Sequence, residues 1–565
     1  MHTTLPLLLA ALTACKDDAP PDDSGPEGWR PDTVCPGDPS CPDNDGPLRV
    51  GAAAVPISPT CFEQWVDQDG NNRYGSAADA FLDCGCDQLC PDDAGYPGPD
   101  EGEGDDTFQA TWMAGFSNGR PAQGVHDELW ARTLVLDQGG SRIAIVSLDL
   151  VGFFFGDVEA IRADLDPALE VDHVLISSTH THEGPDTMGL WGPRVGSSGY
   201  QESYVAEVRE DVAASIAQAV GALTEVDHVV VGAVDPAGAH ERGQANVQRD
   251  SRDPVVIVDA VNVAAFYDGG GDVIASLVNW GSHPETLSSD NTLISADFVH
   301  YLRETVESGA RWDSYEREGL GGVCVYVQGM VGGMMTPLGI TVHDPDGNEW
   351  SAASFEKAEA LGQIVGEMAL DAVEAGETLQ DPALSFAAAR FQLPVQNIAF
   401  EAMFRIGVLP RDLENFDPDG PVDPDDPPEV VTEMDHIALG DLAMLSIPGE
   451  LLPEIGIGGY DGSKVGTDLY TLVDPNNPNP PDLDAAPEGP YLRERMDSPH
   501  AWIIGLANDE LGYIIPAYDF ITDPDNPYLV EAEGDHYEET NSLGPQTEPV
   551  ITAQAITLLE WLQGR

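Results

Sequence analysis

Residues 173–182 read HVLISSTHTH. An apolar run with no polar alternation is a strand covered on both faces, the habit of strands in layered α/β proteins. The run ends on two histidines spaced two apart. Side chains at i and i+2 of a strand point the same way, so His180 and His182 are expected to project together from the strand end. Ligand clefts of α/β sheets form at such ends. Two adjacent imidazoles repel if both are protonated. A metal ion, or one acid–base role beside one ligand role, removes the conflict; hydrogen-bonded surface histidines are the plain alternative.

The arrangement recurs twice. SLVNWGSHP (276–284) puts His283 after a second apolar strand, and Pro284 ends that strand and restricts the backbone before it. LAMLSIPGE (442–450) puts Glu450 after a third. Two neutral histidines and one carboxylate around an open position make a hydrolytic zinc arrangement. Taken alone, Glu450 reads equally well as an acid favoured at a helix N-terminus.

Strands and helices alternate from residue 125. ARTLVLD and SRIAIVSLDLVGF make a hairpin around Gly139-Gly140. GDVEAIRADL is a short helix, and YQESYVAEVREDVAASIAQAVGAL a long amphipathic one. Further strands are expected near 228–234, 254–266, 273–280, 323–329, 384–395, 433–447 and 501–506. Helices are expected near 296–308 and 354–376, with a closing helix through ITAQAITLLEWL. The expected fold class is therefore α/β: one layered, mixed-sheet catalytic domain over 48–565.

Lys and Arg number 24 against 99 Asp and Glu, a formal charge of −75. That excludes a nucleic-acid binder, which needs clustered cations, and argues against charge-driven binding to anionic membranes. Residues 5–14, LPLLLAALTA, have the length of a signal h-region, too short to span a bilayer. With Cys15 they resemble the lipobox of bacterial lipoproteins, so 1–15 reads as a signal peptide with Cys15 lipidated. An ordinary cleaved signal peptide is the alternative. The Pro-, Asp- and Gly-rich residues 16–47 read as a disordered acidic tether. The expected location is outside the cytoplasm, periplasmic or at the cell surface and held by the lipid alone, or else secreted.

Six cysteines fall within 35–90 and read as a disulfide framework, while Cys324 in an apolar run reads as a buried thiol. A Cys/Asp/Gly insertion covers 61–107. In it Asp67, Asp69 and Asn71 alternate as calcium-loop oxygens do. Asn72 and Ala78 stand where an EF-hand has its Gly and Glu, so a different calcium-stabilised loop, completed by Asp79 or Asp83, is set against a solvated acidic turn.

Several segments together resemble the neutral/alkaline non-lysosomal ceramidase family. In family order they are VGAAAVPISP, GVHDELWARTLVLD, IVSLDL, VLISSTHTHEGP, NWGSHPETLSS with ISADF, the 328–337 loop, LSIPGELL and GLANDELGY. The resemblance covers roughly 48–565, leaving the 61–107 insertion unmatched. It implies a zinc site with ligands His180, His283, Glu450 and Tyr513, and a substrate contact or oxyanion partner in His182. It also places His126 near the pocket and an Arg, Arg249 or Arg242, near the substrate. Thr336-Pro337 stands where the family has Ser-Pro, so Thr336 is the candidate for positioning substrate. The Met-rich loop before it could line an acyl groove or simply fill core. Family members carry an immunoglobulin-like domain after the catalytic one, and this chain is expected to hold the catalytic domain only.

What the resemblance implies is zinc-assisted hydrolysis of the N-acyl amide of a ceramide-like lipid, with Tyr513 also assisting catalysis. Two readings stand beside it. One is a zinc esterase or deacylase on a non-sphingolipid substrate. The other is a non-catalytic, calcium-stabilised surface lipoprotein.

Overall fold

The computed structural model describes residues 28–75, 79–100, 102–238, 242–333, 335–423 and 426–564. The signal segment, Cys15, the first part of the tether and Ala78 lie outside them. Three five-stranded sheets form the body. The first runs in the order His173–Ser178, Ser141–Leu148, Trp130–Gln138, Arg49–Pro56, Thr224–Glu225. The second runs Val323–Gln328, Val273–Trp280, Val261–Tyr267, His228–Val234, Glu377–Leu379. The third runs Thr33–Cys35, Leu384–Pro394, Glu429–Leu439, Leu442–Ser446, His500–Ile504. The fold class is the mixed α/β one expected.

Each sheet carries one parallel pair at the edge that faces the site. His173–Ser178 pairs parallel with Ser141–Leu148, Val323–Gln328 with Val273–Trp280, and His500–Ile504 with Leu442–Ser446. Their apolar, β-branched residues are buried on both faces, as parallel pairs covered on both sides require. Helices Phe298–Ser308 and Phe355–Glu374 pack on one another against the second sheet.

Two element assignments differ from the sequence pattern. The strand expected over 433–447 is a hairpin, turning at Gly440 with φ +58°, where the left-handed region suits glycine. The strand expected from 254 begins only at Val261. Val255 and Ile257 give their N–H groups to Leu472 and Lys464 in a loop, and Val256 gives its own to the Asp250 carboxylate, so none joins a ladder.

The tether is also shorter than its composition suggests. Thr33–Cys35 adds antiparallel to Leu384–Pro394, the Cys35–Cys41 disulfide closes the turn behind it, and Val34 is buried. Three buried side chains and a cross-link offset an ordering cost that composition alone does not reveal. The remaining pairs, Cys61–Cys86 and Cys84–Cys90, cross-link the insertion, and Cys324 is free and buried. No described helix is long and apolar enough to cross a membrane.

One buried ion pair ties helix to sheet. Arg303 donates to both oxygens of Asp149, at 2.9 and 2.7 Å, and Asp149 accepts the Trp130 N–H at 2.9 Å. Removing only the cation strands a buried carboxylate. Arg303→Met is expected to cost about 3–5 kcal/mol, read as a lowered urea midpoint. A loss below about 1 kcal/mol would show that the pair does not hold the helix.

Candidate metal centre and active site

The strand ends deliver the candidate ligands. His173–Ser178 leads to His180 and His182, Val273–Trp280 to His283, Leu442–Ser446 to Glu450, and His500–Ile504 to Tyr513. The last two are direct partners: Glu450–Leu451 and Tyr513–Ile514 form a short parallel pair with Glu450 opposite Tyr513. The imidazole centroids of His180 lie 4.9 Å from His182 and 4.8 Å from His283. Glu450 Oε2 stands 3.1 Å from His283 Nε2 and 3.5 Å from His180 Nε2, and the Tyr513 hydroxyl is 3.5 Å from His283 Nε2.

The histidines meet by a different route from the one strand periodicity suggests. The strand stops at Ser178, and His180 lies in the left-handed region, φ +68°. The Thr179 and His180 N–H groups donate to Leu148 and Leu150, so the edge of the neighbouring strand shapes the turn.

Gln328 joins the two histidine loops. Its side-chain amide donates to the carbonyls of Thr179 (2.8 Å) and Ser282 (2.9 Å), the residues just before His180 and His283. Its Oε1 accepts from the Tyr326 hydroxyl at 2.9 Å and the Ser282 N–H at 3.2 Å.

The donor set fits a dication. His180 Nδ1 is 2.6 Å from the Val151 carbonyl and His283 Nδ1 is 2.9 Å from that of Met335. A proton held at each Nδ1 leaves both Nε2 lone pairs converging on a carboxylate, three acceptors in a buried space. Backbone carbonyls that fix the imidazole tautomer in this way are a hallmark of metal-binding histidines.

With protein groups alone the electrostatics are divided. Burial, with the other histidines against it, pushes His180 down to about 3. Burial also opposes charge on His283, but the hydrogen bond to Glu450 and the nearby carboxylates outweigh it and lift it to about 8. Burial would raise Glu450, yet His180 and His283 hold it below the ordinary carboxylate range. Burial lowers His182, whose Nδ1 faces Glu285 Oε2 at 3.4 Å.

His180, His182, Glu450 and Tyr513 line a cavity whose walls include Phe154, Met188, Trp191, Phe400, Phe404 and Leu543. Two of the aromatics come from helix Ile398–Arg405, capped by Asn397. At Gly115 a Cβ would stand 2.3 Å from the His182 ring, so glycine admits the imidazole.

Several expected participants sit elsewhere. Thr336 is absent from the cavity wall; its hydroxyl donates to Glu285, which in turn faces His182, so it reaches the site through a carboxylate. His126 stacks on Phe355 at 3.6 Å between centroids, its Nδ1 at 3.1 Å from Asp127, away from the cavity lining. Arg249 pairs main chain to main chain with Thr336, and its guanidinium lies beside Gly339, again outside the lining. Met330 and Met335 fill core rather than an acyl groove. In the insertion, oxygens of Asp67, Asp69 and Asp79 approach within 4.8 Å of one another. In the same loop Asn71 accepts the Arg73 N–H at 2.6 Å. Sequence reasoning missed Gln328, Glu285, Glu510 and the Phe400/Phe404 wall. The first two directly follow or continue the strand ends already singled out, which was the available signal.

Residues 105–350 match the family described as neutral/alkaline non-lysosomal ceramidase, N-terminal. The fold is also that of solved ceramidases. The crystal structure of neutral ceramidase from Pseudomonas aeruginosa is similar with a TM-score of 0.59 and 16% identity, covering 92% of this chain and 75% of that one. A ceramidase complexed with C2 is similar to the same degree, TM-score 0.59 and 16% identity, over 92% of this chain and 76% of that one. No curated protein sequence matches the chain. The family model thus covers residues 105–350, and over most of the chain the fold is that of a neutral ceramidase.

Gln328→Leu removes the amide that ties the two histidine loops while keeping volume. Loss of such a supporting contact is expected to weaken metal binding about 10–100-fold, measured by chelator competition. Wild-type affinity in that variant would show that the loops hold their geometry without it.

Proposed function

We propose that the chain is a zinc-dependent amidohydrolase that cleaves the N-acyl bond of a ceramide-like lipid. The observation that carries this is the convergence of two carbonyl-tethered imidazoles and one carboxylate beside a tyrosine, with His180, Glu450 and Tyr513 on the wall of an apolar cavity. His180, His283, Glu450 and Tyr513 would hold the ion. Zinc there supplies Lewis-acid chemistry, which favours attack of water on an acyl carbonyl at neutral pH.

The protein's own groups do the rest. The aromatic wall holds the acyl chain and excludes bulk water, each Å² of buried apolar surface contributing about 25 cal/mol. Glu285, anchored by the Thr336 hydroxyl, favours a proton on His182 Nδ1. That leaves Nε2 as an acceptor, so His182 is set to take a proton from the attacking water rather than to donate to an oxyanion.

Stoichiometric zinc in the purified protein and release of fatty acid from an N-acyl lipid, both lost in His180→Ala, are expected. A His180→Ala protein that hydrolyses like wild type sinks the proposal. A substrate panel that turns over esters alone favours the esterase reading instead.

Metal affinity should also depend on pH in a stated direction. His283 carries a proton below about pH 8 when no ion is bound, and an ion must displace it. Affinity is therefore expected to rise about tenfold per pH unit up to pH 8 and level off above. Calorimetric titrations from pH 6 to 9 that show a flat profile would remove His283 from the ligand set.

A further inference from the structure

Glu510 lies on the same cavity wall as His180, His182, Glu450 and Tyr513 and is 4% exposed. Its Oε1 accepts the Gly512 N–H at 2.8 Å. Its Oε2 is buried with no hydrogen-bond partner among the described residues. A buried polar atom left unpaired costs about 1–3 kcal/mol, a cost that a polar substrate atom would relieve.

The surroundings fix this carboxyl and leave it unneutralised. The Glu510 N–H donates to Asp509 Oδ1 at 2.9 Å. Arg411, the cation on the cavity wall, is committed to Asp509 at 2.6 and 3.0 Å. The stem of Glu510 passes over Gly152, where a Cβ would stand 2.8 Å from both Cβ and Cγ of Glu510. Glycine at 152 thus keeps the stem's path clear.

We propose that Glu510 is the acid that protonates the departing nitrogen of the substrate amide. This rests on the amidohydrolase reading above. Water adds to the acyl carbon, forming the C–O bond and shedding one proton to His182. The C–N bond breaks, its electron pair stays on nitrogen, and nitrogen takes the Glu510 proton. The proton on His182 then returns Glu510 to its acid form, so the cycle balances with water alone consumed. Burial with Oε2 unpaired favours the uncharged acid form of the Glu510 carboxyl.

The test compares leaving groups. The full-length holoenzyme and Glu510→Gln are assayed on an N-acyl lipid amide and on the 4-nitrophenyl ester of the same fatty acid. A nitrophenolate departs without a proton; an amine does not. Glu510→Gln is expected to lower kcat on the amide by about 10²–10⁴-fold while leaving ester turnover within about threefold, well below the range that loss of an acid–base group produces. Near-wild-type amide turnover overturns the proposal, and so does an equal loss on both substrates, which marks a structural role. Should the Gln variant fail to fold, Glu510→Asp carries the same comparison: a fall in the amide-to-ester ratio supports the role and an unchanged ratio overturns it. If the unmutated enzyme turns over the ester but no amide, the amidohydrolase reading fails on the wild type itself, and the Glu510 role falls with it.

Discussion

The site depends on one buried amide. Gln328 ends an apolar strand of the second sheet, yet its side chain bonds to the carbonyl before His180, at the edge of the first sheet, and to the carbonyl before His283, in its own. Its main-chain carbonyl accepts the N–H of Gly505, just past the third sheet's last strand, at 2.9 Å. One residue therefore touches the outflow of all three sheets. Each such bond contributes about 1 kcal/mol net, but an unpaired buried amide costs more than it gains when paired. The asymmetry makes the junction all-or-none: with Gln328 seated, the two histidines have one relative position.

The second constraint is backbone strain. A non-glycine residue in the left-handed region costs about 1–3 kcal/mol and persists only where its surroundings over-determine it. The turn at His180 meets that condition through three contacts with the end of strand Ser141–Leu148 and the segment after it. Leu148 fixes the preceding N–H, Leu150 fixes its own, and Val151 fixes its ring. Beyond the same turn His182 keeps its ring beside that of His180 and turns Nδ1 toward Glu285. Two histidines two apart thus take different neighbours, His180 the Val151 carbonyl and His182 the Glu285 carboxylate.

This division also explains what the sequence showed. Long apolar runs ending in His, His and Glu are local patterns, and burial on both faces makes them stand out, so strands, strand ends and candidate ligands were legible. The reason offered for the His pair was incomplete, because periodicity along a strand says nothing of the turn beyond it. Gln328 was invisible as a clamp: its partners are 149 and 46 residues away, and a strand-terminal glutamine has no pattern of its own. Glu285 and Glu510 sit beside candidate ligands, but an acid in so acidic a chain carries little signal until burial singles it out. The aromatic wall was hidden because IAFEAMFR is a short segment whose phenylalanines face a cavity assembled from distant loops. Thr336, Arg249 and His126 are the converse case, placed by analogy with motifs and held instead by contacts behind the cavity or beyond it.

The distribution of positive charge bears on what the cavity can accept. In a chain with 24 Lys and Arg against 99 acids, several cations are buried as partners of carboxylates: Arg120 with Glu183, Arg303 with Asp149, and Arg252 among Asp519, Glu538 and Glu539. Arg411 follows the same rule beside the cavity. Among the described residues that line it, no guanidinium or ammonium is left over for a phosphate or carboxylate headgroup. An anionic headgroup would find no uncommitted protein cation there, and the field of the whole chain would oppose its approach. A neutral ligand meets neither obstacle, and the wall offers Phe154, Phe400 and Phe404 to an apolar chain. The uncharged character of the cavity's free wall thus follows from where the arginines are committed.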